Sequence, residues 1–413
     1  MADKIIVIGA GIVGVSTAIW LQRMGHSVLI LDREGVAAGT SYGNAGILAS
    51  SGIVPVTTPG LFGKAPGMLF SPSQPLFLRW SYLPKLAPFL VRYLSNANHK
   101  DMKRISSDLY RLMYDSVDQH QALAAGTDAE KYIEHGGYLH AYEDKKSFDK
   151  DALAWKTRVD AGLDLQEMNA DALAEFEPAL AGKFGYAVLS KTDGRVTDPG
   201  AYVKALADAF ISGGGEVLVD EVIDIPLESN QAIGVETAGS GLIDAAEVVI
   251  ATGAWSGPFA KKLGIKVPLE SERGYHLEFV NADINLRCPV MVSSKKFAMN
   301  SMDGRLRCAG IVEFGGLEAG PSKAPPQLLM KQMSAMFPDL QYDEVRHWLG
   351  HRPSTSDSLP LIGAFDHVPN VWAGFGHQHL GLTGGAKTGR WLAQLISGNP
   401  PNENISAYRT NRF

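Results

Sequence analysis

Cysteine is scarce: Cys288 and Cys308 are the two in 413 residues, too few for a disulfide framework and without the paired spacing of a zinc site. Both read as packing residues in a reducing compartment. Positive charge is in no surplus, since 38 Lys and Arg stand against 44 Asp and Glu for a net charge of -6. That balance excludes a chain built to neutralise a nucleic acid backbone. No apolar run of membrane-spanning length stands out. The N-terminal stretch from Ile5 to Gln22 resembles a signal peptide in hydropathy, but Gly9, Gly11 and Gly14 fall where a strand would turn into a helix. Cleavage there would remove the first core strand. Hydrophobic residues at 45% and charged residues at 20% exclude a disordered tail or a collagen-like fibre. At about 150 residues per domain, the length suggests two or three folding units.

A local absence is just as informative. Between Gly35 and Lys100 there is no Asp or Glu, while Lys64, Arg79, Lys85, Arg92 and Lys100 are positive. Seven of the 22 prolines, at positions 55, 59, 66, 72, 75, 84 and 88, fall in the same stretch, so no long uninterrupted helix is expected before Pro88. Phe70, Phe77, Trp80, Tyr82, Phe89 and Tyr93 interleave with the basic residues. Two readings stay open for residues 69–94: a docking face for an anionic membrane surface or a quinone, and a cap that packs its aromatics inward.

KIIVI (Lys4 to Ile8) and SVLILD (Ser27 to Asp32) are short apolar runs without alternation, as expected of parallel strands covered on both faces. Ile12 to Met24 between them has helical length and stops at Gly25. Helices are also expected over Lys103 to Ala125, from Asp198 and Pro199 to Gly213, and over Thr383 to Ile396. EVLVDEVIDI and AEVVIATGAW repeat the opening strand grammar, so the first domain is discontinuous. YLHAYED, YAVLSK, YHLEFV, VMVSS and RLRCAGIVEF read as strands of a mostly antiparallel sheet in a second domain.

GAGIVG places Gly9, Gly11 and Gly14 between a predicted strand and a predicted helix, with Asp32 at the end of the next strand. The glycines permit a tight turn, close approach to a pyrophosphate and close helix packing. The helix N-terminus offers unpaired NH groups to phosphate, and Asp32 can accept the hydroxyl protons of an adenosine ribose. These features point to a dinucleotide and do not separate NAD from FAD. His377 and His379 have no recognisable acidic or cysteine co-ligand nearby, and His347 and His351 read as hydrogen-bonded structure at strand ends, so no metal is expected. No Ser-His-Asp or two-carboxylate arrangement declares itself.

Three further segments, GTSYGNAG, VIATGAW and GFGHQHLGLTGG, stand with GAGIVG in an order that resembles the D-amino-acid oxidase-like FAD-dependent oxidoreductases, in particular their D-amino-acid dehydrogenase branch. The resemblance runs over nearly the whole chain. It implies a non-covalent FAD bound by Gly9, Gly11, Gly14, Asp32 and Arg33, with Thr40, Ser41, Asn44, Ala45 and Gly46 along the pyrophosphate and flavin edge. Val222 would contact adenine, Thr252 and Gly253 would close over the dinucleotide, and Gly376, Gly381, Leu382 and Thr383 would meet the isoalloxazine. HWLGHRPSTSDSLPLIG resembles the family's G-x-R-P segment, which makes Arg352 the candidate clamp for a substrate carboxylate. Without the resemblance, a structural ion pair would explain that arginine. Arg273 and Tyr275 in SERGYHLEF fall near a second substrate contact.

The expected fold class is α/β plus α+β: a discontinuous Rossmann-like FAD-binding domain (1–50, 193–260 and 345–413) and a mostly antiparallel substrate or cap domain (51–192 and 261–344). The expected function is oxidative deamination of a D-amino acid by hydride transfer to flavin N5, with electrons passed to a quinone or another acceptor. The expected location is cytoplasmic, with peripheral contact on the inner membrane face left open. Oxidation of a secondary amine or imino acid (sarcosine-like or D-hydroxyproline-like), of a 2-hydroxy acid, or service as a silent electron-transfer subunit remain the alternatives.

Overall fold

The computed structural model describes residues 4–61, 63 and 76–413; Lys64, Pro66, Phe70, Pro72 and Pro75 of the basic, proline-rich stretch lie outside the described residues. The opening strand Lys4–Ile8 sits inside a six-stranded sheet. The strand order is Glu216–Val219, Ser27–Asp32, Lys4–Ile8, Glu247–Ile250, Val368–Phe375, Leu361–Phe365. All neighbours are parallel except the last pair. Strand side chains alternate between faces. Ile5 and Val7 accordingly enter one hydrophobic core, while Ile6 and Ile8 enter the one on the opposite face. Burial on both sides is why these strands carry no polar alternation.

Helices Ile12–Arg23, Pro199–Ser212 and Gly381–Ile396 contribute to the first of those cores. The first and last cross in direct contact. At Gly389 a Cβ would lie 2.6 Å from the Thr17 nitrogen, and at Gly385 it would lie 3.0 Å from Ile12 Cγ1. The opposite face is covered by a small sheet, Val222–Asp224, Gly234–Thr237 and Gly241–Asp244, through Val222 and Val235.

The second layer is a nine-stranded sheet, mostly antiparallel, in the order Glu344–Thr355, Leu269–Val280, Arg305–Phe314, Phe297–Met302, Val290–Val292, Tyr138–Tyr142, Tyr186–Ser190, Leu165–Asn169, with Leu76–Leu78 alongside Arg305–Phe314. The fold class read from the sequence is the one observed. The expected border at residue 345 falls inside this second sheet, because Glu344–Thr355 pairs with Leu269–Val280 along its whole length. The chain returns to the parallel sheet only at Leu361.

Among the described residues no long helix precedes Pro88, as expected, and the departure from expectation before residue 125 comes later. Helix Leu83–Ser95 runs through Pro88. Pro88 lies inside this helix and leaves the Pro84 carbonyl without its intrahelical partner. The single helix expected over 103–125 is two, His99–Met113 and Ser116–Ala124, parted at Asp115, whose carboxylate receives Lys387 Nζ at 3.0 Å. Phe89 and Tyr93 pack inward against Phe314 and Leu86, and the Tyr82 hydroxyl donates to Glu270 at 3.1 Å. Trp80, Lys85, Val91 and Arg92 are exposed. Among the described residues no helix is long and apolar enough to cross a membrane. Cys288 and Cys308 are free and buried, and burial pushes the Cys288 thiol up to about 12.

Gly14 shows how tightly the opening turn is built. A Cβ there would sit 1.8 Å from the Gly9 carbonyl oxygen, a backbone atom with no room to yield. Gly14→Ala is expected to cost more than about 2 kcal/mol, read as a lowered Tm and poor soluble yield. A Tm equal to the parent's would show that the turn relaxes freely.

Candidate active site

One cavity of about 1530 Å³ runs between the two layers, from Asp32 and Val222 at one end to Arg352 and Leu382 at the other. At the first end, Gly9 has φ +109° and a Cβ would lie 2.5 Å from the Ala251 carbonyl oxygen. Helix Ile12–Arg23 begins at Gly11 with no side-chain cap and no acidic residue in its first turn, which leaves its positive end directed at the cavity. Ser41 Oγ accepts the Ile12 amide at 2.9 Å. Asp32 is already in use: Oδ2 accepts the Ala10 amide at 2.8 Å, and Oδ1 accepts the Glu34 and Gly35 amides at 2.9 Å each. A carboxylate offers about four lone-pair sites. The expectation that it receives both ribose hydroxyls is therefore narrowed to one further proton. Arg33 lies over the Trp255 ring at 4.3 Å, and both line the cavity with Val222, Thr252 and Gly253.

The loop from Thr40 to Gly46 is tied to the antiparallel sheet. Thr40 Oγ1 donates to the His351 carbonyl at 2.9 Å, and Asn300 Nδ2 donates to the Ala45 carbonyl at 2.9 Å. Asn44 Oδ1 accepts the Gly46 amide at 2.9 Å. Arg307, fully buried beside Glu278, donates to the Tyr42 and Asn44 carbonyls. Thr40, Ser41, Asn44 and Ala45 line the cavity, whereas Gly14, Gly46 and Gly376 do not. The last two are turn positions: Gly46 at φ +75° lies against the Val196 carbonyl and Gly376 at φ +92° against Thr355.

At the far end Gly381, Leu382 and Thr383 line the cavity at the start of helix Gly381–Ile396, again with no side-chain cap and no acid in the first turn. Two partners hold this terminus. Thr383 Oγ1 donates to the Ile47 carbonyl at 3.1 Å, and buried His120 donates from Nε2 to the Leu382 carbonyl at 2.7 Å. Burial lowers His120 to about 4. It is therefore neutral near pH 7, donating to Leu382 and accepting the Tyr202 hydroxyl through Nδ1 at 2.8 Å. The sequence carries no signal for His120, since its partners come from two other helices.

Arg352 enters the cavity wall from strand Glu344–Thr355, its guanidinium passing over Gly274, where a Cβ would come within 2.7 Å of Cζ. Among the described residues it makes no hydrogen bond, and Glu272, paired with it across the strands, is the carboxylate that favours its charge. Arg273 and Tyr275 occupy the other face. Arg273 is fully buried, 3.4 Å from Glu313 and bonded to the Gly320 carbonyl. The Tyr275 hydroxyl donates to Glu313 at 2.7 Å. Strand alternation sends Glu272 and Gly274 toward the cavity and these two side chains away from it. This corrects the expectation of a second substrate contact: Tyr275 borders the cavity, but its hydroxyl is spent on Glu313.

The turn before the last helix holds groups that sequence reading passed over. Gln378 has φ +53°, and its buried Nε2 has no hydrogen-bond partner among the described residues. His379 opens into the cavity, close enough to Arg352 for its charge to help burial lower the imidazole to about 4. His377 instead bonds Thr388 Oγ1 at 2.9 Å. Among the described residues no group of three or more His, Cys, Asp or Glu is placed to hold a metal. An uncapped helix start at each end of one long cavity, glycines that keep its walls clear, and an orphaned Gln378 amide fit an extended dinucleotide with a flavin head.

Asp193, also missed, lies beneath the loop and accepts from the Ser51 amide at 2.9 Å and from the Ser51 hydroxyl. Burial pushes it up to about 6 from an ordinary 3.8. The folded state thus keeps this proton where the unfolded chain has lost it, and the stability involved is lost as pH rises through about 6. The stability difference between the parent and Asp193→Asn, from denaturant unfolding, is expected to move against the parent between about pH 4 and 6, by on the order of 2 to 3 kcal/mol. A pH-independent difference would contradict it.

The chain resembles known proteins over its full extent. It is 38% identical over 414 residues to the D-amino-acid oxidase of Bradyrhizobium diazoefficiens, covering 98% of both chains. It is 29% identical over 422 residues to the D-amino acid dehydrogenase of Paramagnetospirillum magneticum, covering 99% of both. Glycine oxidase from Bacillus cereus has the same fold, with a TM-score of 0.75 at 20% identity over 98% of this chain and 99% of that one. Residues 4–395 match the DAO family of FAD dependent oxidoreductases, and the chain belongs to that family.

Proposed function

We propose that this FAD-dependent oxidoreductase deaminates a D-amino acid oxidatively, yielding a 2-oxo acid and ammonia and delivering two electrons to a quinone or another acceptor. The observation that carries the reading is Arg352: a planar, permanently charged fork, without a hydrogen bond among the described residues, facing a cavity whose floor is an uncapped helix start. The D-amino acid named for two full-length relatives supports the substrate class.

FAD, when bound, supplies the two-electron acceptor, at N5, for the hydrogen leaving Cα. The chain supplies position and electrostatics. Arg352 grips both carboxylate oxygens and so fixes which face of Cα is presented. The Gly381, Leu382 and Thr383 amides direct partial positive charge at the negative charge that develops beneath them. His120, by holding the Leu382 carbonyl, fixes the direction in which that helix start points. His379, neutral and beside Arg352, makes no ring hydrogen bond among the described residues and can receive one from the substrate nitrogen. Loss of hydride from Cα of the neutral amine leaves an iminium, which water hydrolyses to the 2-oxo acid and ammonium; no strong protein base is required.

The purified protein is expected to be yellow, with about one releasable FAD per chain, and Arg352→Ala is expected to keep that flavin. In the variant kcat/KM for D-amino acids should fall by about a hundredfold or more, mostly through KM. Anaerobic single-turnover reduction with wild-type rate and affinity would remove Arg352 from this role, and colourless protein that takes up NAD would overturn the whole reading. Oxygen consumption measured beside an artificial acceptor separates oxidase from dehydrogenase.

A further inference from the structure

The mechanism leaves one cavity-facing carboxylate without a task. Glu272 is 5% exposed and lines the cavity. The Arg352 and Ser354 side chains of the neighbouring strand favour its charge, yet Ser354 Oγ is itself without a hydrogen-bond partner. Arg352 stands directly opposite Glu272 in the register but leans along the strand over Gly274, and among the described residues no ion pair closes between the two. Glu270, on the same face, differs: it accepts the Tyr82 hydroxyl at 3.1 Å and the Ser271 amide at 2.8 Å, and it does not line the cavity.

Tyr93, on helix Leu83–Ser95, adds a second uncommitted group. It is buried, it lines the cavity, and its hydroxyl has no hydrogen-bond partner among the described residues. Burial and the charge of Glu272 both keep this phenol neutral. Among the described residues Arg352 is the cation that acts on Glu272; Tyr93, Glu270 and His379, the other titratable groups on this side, bring no positive charge. Directly opposed residues of an antiparallel pair have Cβ atoms about 5 Å apart. Glu272 and Arg352 can therefore reach the two poles of one α-amino acid head, whose carboxylate and nitrogen are joined through a single carbon. A plain carboxylate on Arg352 would claim the counter-charge of Glu272 and leave two negative groups side by side. A zwitterion brings its own cation and avoids that repulsion.

We propose that Glu272 is the specificity-determining group for the substrate nitrogen: it receives the α-ammonium while Arg352 holds the α-carboxylate, so the site takes zwitterionic amino acids and rejects carboxylates that lack a cationic nitrogen, 2-hydroxy acids among them. This rests on the reading of the site as an amino acid site. The ammonium sheds one proton before hydride leaves Cα: an N–H bond breaks and an O–H bond forms at Glu272, whose carboxyl burial already pushes above its ordinary value. His379 then receives the hydrogen bond of the neutral amine.

The test is ligand binding to the oxidised holoenzyme, read as perturbation of the flavin spectrum. 2-Aminoisobutyrate and pivalate share one shape, have no Cα hydrogen to lose, and differ by an ammonium against a methyl group. Wild type is expected to bind 2-aminoisobutyrate about tenfold more tightly or better, and kcat/KM for D-alanine should exceed that for D-lactate. Glu272→Gln should lower the binding ratio by about tenfold to a hundredfold, with pivalate tightening as 2-aminoisobutyrate weakens, and Glu272→Asp should recover part of the ratio. Wild type that binds pivalate as tightly as 2-aminoisobutyrate, a comparison that needs no variant to fold, would overturn the role of Glu272. So would a Glu272→Gln variant that weakens both ligands equally. Either result leaves D-amino acid oxidation standing wherever D-amino acids still reduce the flavin. Failure of every D-amino acid to reduce it would overturn the function itself and this role with it.

Discussion

The close crossing of the first and last helices is the constraint on which the site depends. Gly385 and Gly389 let helix Gly381–Ile396 press against Ile12, Ser16 and Thr17, and the two helix starts therefore open onto one cavity although some 370 residues separate them in the chain. Neither N-cap residue supplies a side-chain cap and neither first turn is acidic, and at the first helix only the Ile12 amide is taken, by Ser41. In an ordinary helix that would be a small defect. Here it leaves two positive ends free for an anionic dinucleotide, one for its phosphates and one for its ring.

The antiparallel sheet answers that floor with charge. Its cavity-facing side presents Arg352 and Glu272 from adjacent strands, while its other side sequesters Arg273 with Glu313. Two arginines on adjacent strands thus have opposite fates: one is neutralised inside the wall, and one keeps an open hydrogen-bonding edge. Arg307 and Glu278 pin the Tyr42–Asn44 carbonyls to the same sheet, so the loop along the cofactor edge and the wall above it move as one piece.

Much of this was legible before any coordinates. GAGIVG after KIIVI, and the glycine-dense segment before the final helix, announced strand-to-turn-to-helix junctions, because only glycine tolerates φ +109° at Gly9 or the contact made at Gly14. The double burial of KIIVI showed as missing alternation. Other features left no trace. His120 acts through Leu382, and Asp193 through its bonds to Ser51; each contact joins segments far apart in the chain. The resemblance singled out Arg352 over Arg273, but that Arg273 is turned away from the cavity follows only from the pairing of its strand.

The sequence by itself determined the elements, the discontinuous parallel sheet and the dinucleotide motif, because those follow from local sterics and from the periodicity of apolar residues. Only the tertiary structure decided that Arg273 turns away from the cavity while Arg352 faces it, and how much of Asp32 remains for a ligand. Those outcomes depend on strand register and on which lone pairs the backbone has already claimed, and neither is written in the order of residues along the chain.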